Sequence, residues 1–145
     1  MFDPKIETPL DEGERVIARF RADKGTYIKA HVLLAVLAGI GATMVLGFLG
    51  NPYPWAGIVA AFLGIGVRGA FLMSEELGLT WTLTDRALNG PGGRRILLEN
   101  LANTRKMGAA VQVVTRSGDK HLIKFQAEPE AVMNRIAAAK KKTWT

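Results

Sequence analysis

Residues 31–50 read HVLLAVLAGIGATMVLGFLG, and residues 55–73 read WAGIVAAFLGIGVRGAFLM. Apart from the leading His31, the one ionisable side chain in the two runs is Arg68. The hydrocarbon core of a bilayer is about 30 Å thick and takes about twenty apolar residues at 1.5 Å rise each. Both runs meet that length. Backbone amides in hydrocarbon have no water to bond, so each run is expected to be a helix. The break between them, Asn51-Pro52-Tyr53-Pro54, is too short for a domain, and its prolines suit a turn. The reading is a transmembrane hairpin over residues 27–73. A buried hairpin of a water-soluble protein is the competing reading, and two uninterrupted runs of this length weigh against it. A cleaved leader fits worse, because a second run comes after the first.

Charge orients the hairpin. Residues 50–54 carry none, whereas Lys5, Arg15, Arg19, Arg21, Lys24 and Lys29 precede the first run. Arg86, Arg94, Arg95, Arg105 and Lys106 come after the second. The positive-inside rule places both termini in the cytoplasm. Tyr53 and Trp55 then mark the far interface and Tyr27 the near one. The 145-residue chain has a formal net charge of +6 and no cysteine, which excludes disulfides and thiol chemistry. Its basic excess lies on the expected cytoplasmic side. Anionic lipid headgroups account for that excess without nucleic acid. The chain thus divides into a cytoplasmic N-terminal segment, residues 1–26, the hairpin, 27–73, and a cytoplasmic domain, 74–145.

Residues 1–14 are acidic and hold Pro4 and Pro9, which reads as an extended or mobile lead-in. Residues 15–21 then alternate. Val16, Ala18 and Phe20 fall on one side, and Arg15, Arg19 and Arg21 on the other, a strand with one buried face. A lone strand is unstable, and its partners must lie beyond the hairpin. There Leu79, Trp81 and Leu83 alternate with Thr80, Thr82 and Thr84. Short strands are expected at residues 87–89, 94–98 and 104–107, with a turn at 90–93 and a corner at 99–103. Residues 109–115 and 120–125 are expected to pair across the turn Arg116-Ser117-Gly118-Asp119, with His121, Ile123 and Phe125 on one side. Pro129 suits a helix start, and Val132, Ile136 and Ala139 form its apolar stripe.

The stretch Thr80-Trp81-Thr82-Leu83-Thr84-Asp85-Arg86-Ala87-Leu88 resembles the opening of bacterial PH-like domains of the bPH2 type. Ile96-Leu97-Leu98, Leu101, the hairpin over 111–125 and the start Glu128-Pro129-Glu130-Ala131-Val132 are similar to the later strands, corner and helix of that family. The order of parts is similar too, with a short strand, two spans and then the domain. The fold class implied is a membrane α-hairpin plus a small α+β PH-like domain, a bent antiparallel sheet or partial barrel with a C-terminal helix. Residues 79–125 supply fewer strands than a full barrel, so residues 15–20 are expected to complete the sheet. The resemblance implies a bacterial inner-membrane, multi-pass location, no catalytic residues and no common ligand. Some members resemble assembly factors of large membrane complexes, photosynthetic ones included.

No cluster of histidine and carboxylate has metal spacing. Nucleophilic catalysis needs a nucleophile, a base and an orienting group, and His121 is the only histidine outside the two apolar runs. No cofactor, metal or catalytic residue is therefore assigned. His121 alternates with Ile123 and reads as a core or edge histidine. Gly90-Pro91-Gly92-Gly93 lacks the Gly-Lys-Ser/Thr ending and the succeeding helix of a phosphate loop, so it reads as a turn. Ala35, Gly39, Thr43 and Gly47 recur every four residues in the first run, as do Ala56, Ala60 and Gly64 in the second. Such ridges let helices approach closely in lipid. Ala38/Ala42 and Gly57/Ala61 offer further tracks. Gly39, Gly47, Gly64 and Arg68 are the candidate residues for docking a partner within the bilayer. Arg68 also lies near enough to the cytoplasmic face to reach headgroups. Arg94, Arg95, Lys140, Lys141, Lys142 and Trp144 are the candidates for the membrane surface. The expected function is a non-enzymatic interaction module, an accessory subunit or assembly factor of an integral membrane complex, photosynthetic or respiratory. A domain sensing lipid or ligand is the alternative. Anionic lipids and a second copy of the chain are the other expected partners.

Overall fold

The structure is a computed structural model and describes residues 7–143. The elements run β1 (Val16–Arg21), α1 (Lys24–Phe48), α2 (Ala56–Leu77), β2 (Thr80–Thr84), β3 (Ala87–Gly90) and β4 (Arg94–Leu97). They continue with β5 (Leu101–Met107), β6 (Ala110–Thr115), β7 (Lys120–Ile123) and α3 (Pro129–Thr143). The chain forms two units. Lys24–Glu76 make one, and the residues up to Asp23 together with those from Leu77 onward make the other. The N-terminal segment is therefore not a region of its own, because it shares a core with the C-terminal domain.

The first unit is two long apolar helices and their turn. Asp and Glu are absent from α1, and α2 carries them only in its last turn. Gly50, at φ +78°, ends α1 in a left-handed conformation that costs a glycine nothing. The Gly50 amide donates to the Gly47 carbonyl at 3.1 Å and the Asn51 amide to Leu46 at 2.9 Å. This pair of bonds satisfies carbonyls that the helix end would leave open in an apolar medium. Asn51 Oδ1 then accepts from the Tyr53 amide at 2.8 Å and sets the turn.

The second unit is a small antiparallel domain with a C-terminal helix. One sheet has the order β1-β2-β3-β4 and the other β5-β6-β7. β1 pairs with β2, Phe20 facing Trp81 and Arg21 facing Thr80, as the alternation of residues 15–20 leads one to expect. A bulge between Val16 and Ala18 interrupts the alternation, so Val16 is exposed while Phe20 is buried. The core joins Phe20, Trp81, Leu83, Leu88, Ile96 and Leu98 to Leu101, Val111, Val113 and Ile123, under Val132, Ile136 and Ala139 of α3. A Cβ on Gly90 would lie 2.6 Å from the Trp81 ring, so only glycine lets that indole lie against β3.

Two local expectations need correction. β5 starts at Leu101, and only Leu98–Asn100 form the corner, because Leu101 is a core residue that continues the ladder opposite Thr115. β7 ends at Ile123, and Phe125 adopts φ +56° instead of extending the strand. That bend brings the Phe125 carbonyl to the Asp23 amide at 2.7 Å. It also places Gln126 to bond the carbonyls of Arg21 (3.2 Å) and Lys124 (2.9 Å), joining the two sheets.

Candidate functional site

The helical unit closes along one narrow seam. Tyr27 and Ala35 are almost wholly buried in it, and the Tyr27 hydroxyl donates to the Gly69 carbonyl at 2.7 Å. His31 Nδ1 lies 2.9 Å from the Tyr27 carbonyl, and the His31 ring stacks at 4.1 Å on the Tyr27 ring. Three glycines permit the approach. An added Cβ would meet Thr43 N at 2.7 Å from Gly57, His31 Cδ2 at 2.9 Å from Gly69 and Ile58 Cα at 3.3 Å from Gly39.

Of the four residues singled out in the helices, only Gly39 is in the seam. Gly47 and Gly64 have open space where a side chain would project, and Arg68 is exposed. The seam keeps a four-residue spacing of its own, Tyr27, His31, Ala35 and Gly39 on one helix and Gly57 and Gly69 on the other. Opposite Gly57 it passes to Ala42 and Thr43 instead of running on to Gly47. Ala35 and Gly39 begin in the seam and Gly47 has left it. On α2 the seam uses the Gly57/Ala61 track rather than Ala56, Ala60 and Gly64. The sequence displayed both tracks but not the phase between the helices. Beyond the seam the faces are apolar and uncovered, with Phe48, Leu49, Val67 and Phe71 among the most exposed side chains.

In the antiparallel domain the five described candidates for a basic membrane surface, Arg94, Arg95, Lys140, Lys141 and Lys142, are not all free for one patch. Arg95 is engaged inward. Its Nη1 donates to Glu14 Oε1 at 3.0 Å and to Asn89 Oδ1 at 3.3 Å, and its Nη2 to Asp11 Oδ2 at 3.0 Å. Lys140 Nζ bonds the carbonyls of Leu101 and Ala102, tying α3 to β5. Arg94 Nη1 lies 3.3 Å from His121 Nδ1. A guanidinium only donates, so His121 accepts there as a neutral imidazole. Burial and then the Arg94 charge hold its pKa below the usual 6.5, with Asp119 opposing. His121 lies half-buried at the sheet, 6.2 Å ring to ring from Trp81, and not in the core. Lys141 and Lys142 are exposed on the last turns of α3, and Trp144 lies outside the described residues.

Glu14 escaped the sequence reading. Its side chain is fully buried, where residues 1–14 read as an extended or mobile lead-in. The Thr84 hydroxyl donates to Oε1 at 2.6 Å and the Asp11 amide to Oε2 at 2.9 Å. Arg95 and Thr84 stand 81 and 70 residues away, so no local pattern could announce them. Around this carboxylate residues 7–14 lie as a strap on the sheet. No family model, curated protein or solved structure matches this chain.

Proposed function

We propose that this chain is a non-enzymatic interaction module anchored in the bacterial inner membrane by its helical hairpin, and that it serves a larger integral membrane complex as accessory subunit or assembly factor. The observation that carries the membrane reading is the apolar surface of the hairpin. The most apolar windows of α1 and α2 are only 11% buried. A core helix of a water-soluble protein is mostly covered. Leaving one such side chain in water forgoes about 1.5–3 kcal/mol. A whole domain is stable by only about 5–15 kcal/mol. Uncovered faces of this extent suit hydrocarbon.

The uncharged turn and the basic flanks support cytoplasmic termini. The arrangement of four and three antiparallel strands with α3 supports a PH-like domain. Within the bilayer, Gly47, Gly64 and Arg68 stand clear of the hairpin's own seam, which supports their use against a neighbouring helix. Close packing and polar contacts are what hold helices together in lipid. Co-purification in mild detergent tests this reading. A stoichiometric membrane protein is expected with the wild type, and it is expected to be lost or weakened in Gly64→Leu and Arg68→Leu. Retention of the partner at full strength by both variants would move the attachment to the antiparallel domain. Reporter fusions at residues 51 and 145 test the orientation, and a periplasmic signal at 145 would end it.

A further inference from the structure

The outer face of the four-stranded sheet holds a cavity of about 300 Å³. Its floor is polar. Arg19, Thr82 and Asn89 stand directly opposite one another on β1, β2 and β3, so they share one face of the sheet. Thr80 lies two residues from Thr82 and shares that face too. Glu7, Thr8 and Leu10 of the strap form the facing wall. The Thr8 hydroxyl donates to the Arg94 carbonyl at 3.3 Å and holds the strap down.

Asn89 is what the fold alone leaves unexplained. The residue is 4% exposed. Its Oδ1 accepts from Arg95, and a guanidinium cannot accept, so the amide is oriented without ambiguity. Nδ2 is then a donor, and it is buried with no acceptor. Buried donors in native proteins are nearly always paired. At the edge of the same cavity Arg19 makes no ion pair among the described residues. Its strand is the outermost of the sheet, so the guanidinium is reachable from solvent.

We propose that this cavity binds an oxyanion group, the carboxylate or phosphate of a small molecule or of a lipid headgroup, through Arg19, the Asn89 amide and the hydroxyls of Thr80 and Thr82. A guanidinium fork matches two oxygens of such a group, and charge-assisted bonds are the strong ones. The volume stands at the lower end of ligand pockets, about 300–1,000 Å³, so the bound group is small. Glu7 opposes a second negative charge. The site therefore favours a carboxylate or a phosphodiester over a dianionic phosphate monoester. None of these residues belongs to the helical hairpin, so the assignment stands apart from the membrane reading.

The test uses the full chain, ¹⁵N-labelled, in nonionic detergent micelles. Acetate, inorganic phosphate and dihexanoylphosphatidylglycerol are titrated while the Asn89 side-chain amide is followed by NMR. A saturable shift with at least one probe is expected. Arg19→Gln should weaken that binding about tenfold or more, the worth of one charge-assisted bond. Glu7→Gln should tighten it, a change of opposite sign that general loosening of the fold would not produce. Both side chains are exposed, so both variants are expected to fold. Saturation by acetate or phosphate assigns a soluble ligand, and saturation by the lipid alone assigns a headgroup. No saturable shift with any probe, or unchanged affinity in Arg19→Gln, would overturn the proposal.

Discussion

Glu14 shows how much one side chain can hold. Burial of its carboxyl pushes its pKa up, but the bonds from Thr84, Arg95 and the Asp11 amide outweigh that and leave it below the usual 4.5. The lowered value means that folding favours the charged form. Its contribution is present above pH 4.5 and is lost as the pH falls below that. Glu14→Gln keeps the shape and removes the charge facing Arg95. It is expected to destabilise the antiparallel domain by about 2–4 kcal/mol, since Arg95 loses its buried partner but keeps Asp11. Chemical denaturation at neutral pH measures the loss, and the variant should show a flatter stability profile than the wild type between about pH 5 and pH 3. His121 gives a second window. Its folded pKa is lowered, so its contribution is present above 6.5 and is lost as the pH falls from there. Arg94→Gln should raise the His121 midpoint in an NMR titration, and an unmoved midpoint would show that the contact between them carries no charge effect.

At the scale of elements, the hairpin separates glycines that pack from glycines that do not. Gly57 faces the backbone of Ala42 and Thr43, so a side chain there must push the helices apart. Gly57→Leu is expected to cost the hairpin about 1–3 kcal/mol or more, the usual cost of overpacking. Gly64→Leu should leave it unchanged. Unfolding of the two variants in detergent micelles distinguishes them. Equal losses would mean that the seam runs along a different face. This contrast also makes Gly64→Leu a clean probe of partner docking, because an effect on co-purification would not pass through the hairpin itself.

For the molecule as a whole, connectivity gives the sharpest expectation. Arg21 at the end of β1 is paired with Thr80 at the start of β2. Paired residues on neighbouring strands stand about 5 Å apart. The two long helices are thus an insertion into the connection of an antiparallel strand pair, the kind of site where insertions are tolerated. Replacing residues 24–76 by a short Asn-Gly linker is expected to give a water-soluble domain that unfolds cooperatively. A chain starting at Leu77 lacks β1, exposes Trp81 and leaves the edge of β2 open, and it is expected to lose cooperative unfolding or aggregate. If that shorter chain melts like the linked one, β1 is dispensable and the domain does not depend on a core shared across the hairpin.

Sequence alone determined the elements whose signal is periodic and local. The apolar runs around residues 31–50 and 55–73, the alternation from Trp81 to Leu83 and the stripe Val132, Ile136 and Ala139 each encode burial within one element. The return of residues 15–20 to the far side of the hairpin was legible too, since a lone alternating strand must pair. What the sequence did not hold was relative phase and register. Gly47 and Gly64 resemble Gly39 and Gly57 in every local respect, and only the rotation of one helix against the other sorts them. Arg95 looked like a surface cation, and residues 7–14 looked like a mobile tail. The strand register brings Arg95 to Asn89 on the outer face of the sheet, and Glu14 meets that arginine from across 81 residues. Charges separated so far along the chain become neighbours only when strands pair, so the buried ion pair and the cavity beside it belong to the tertiary structure.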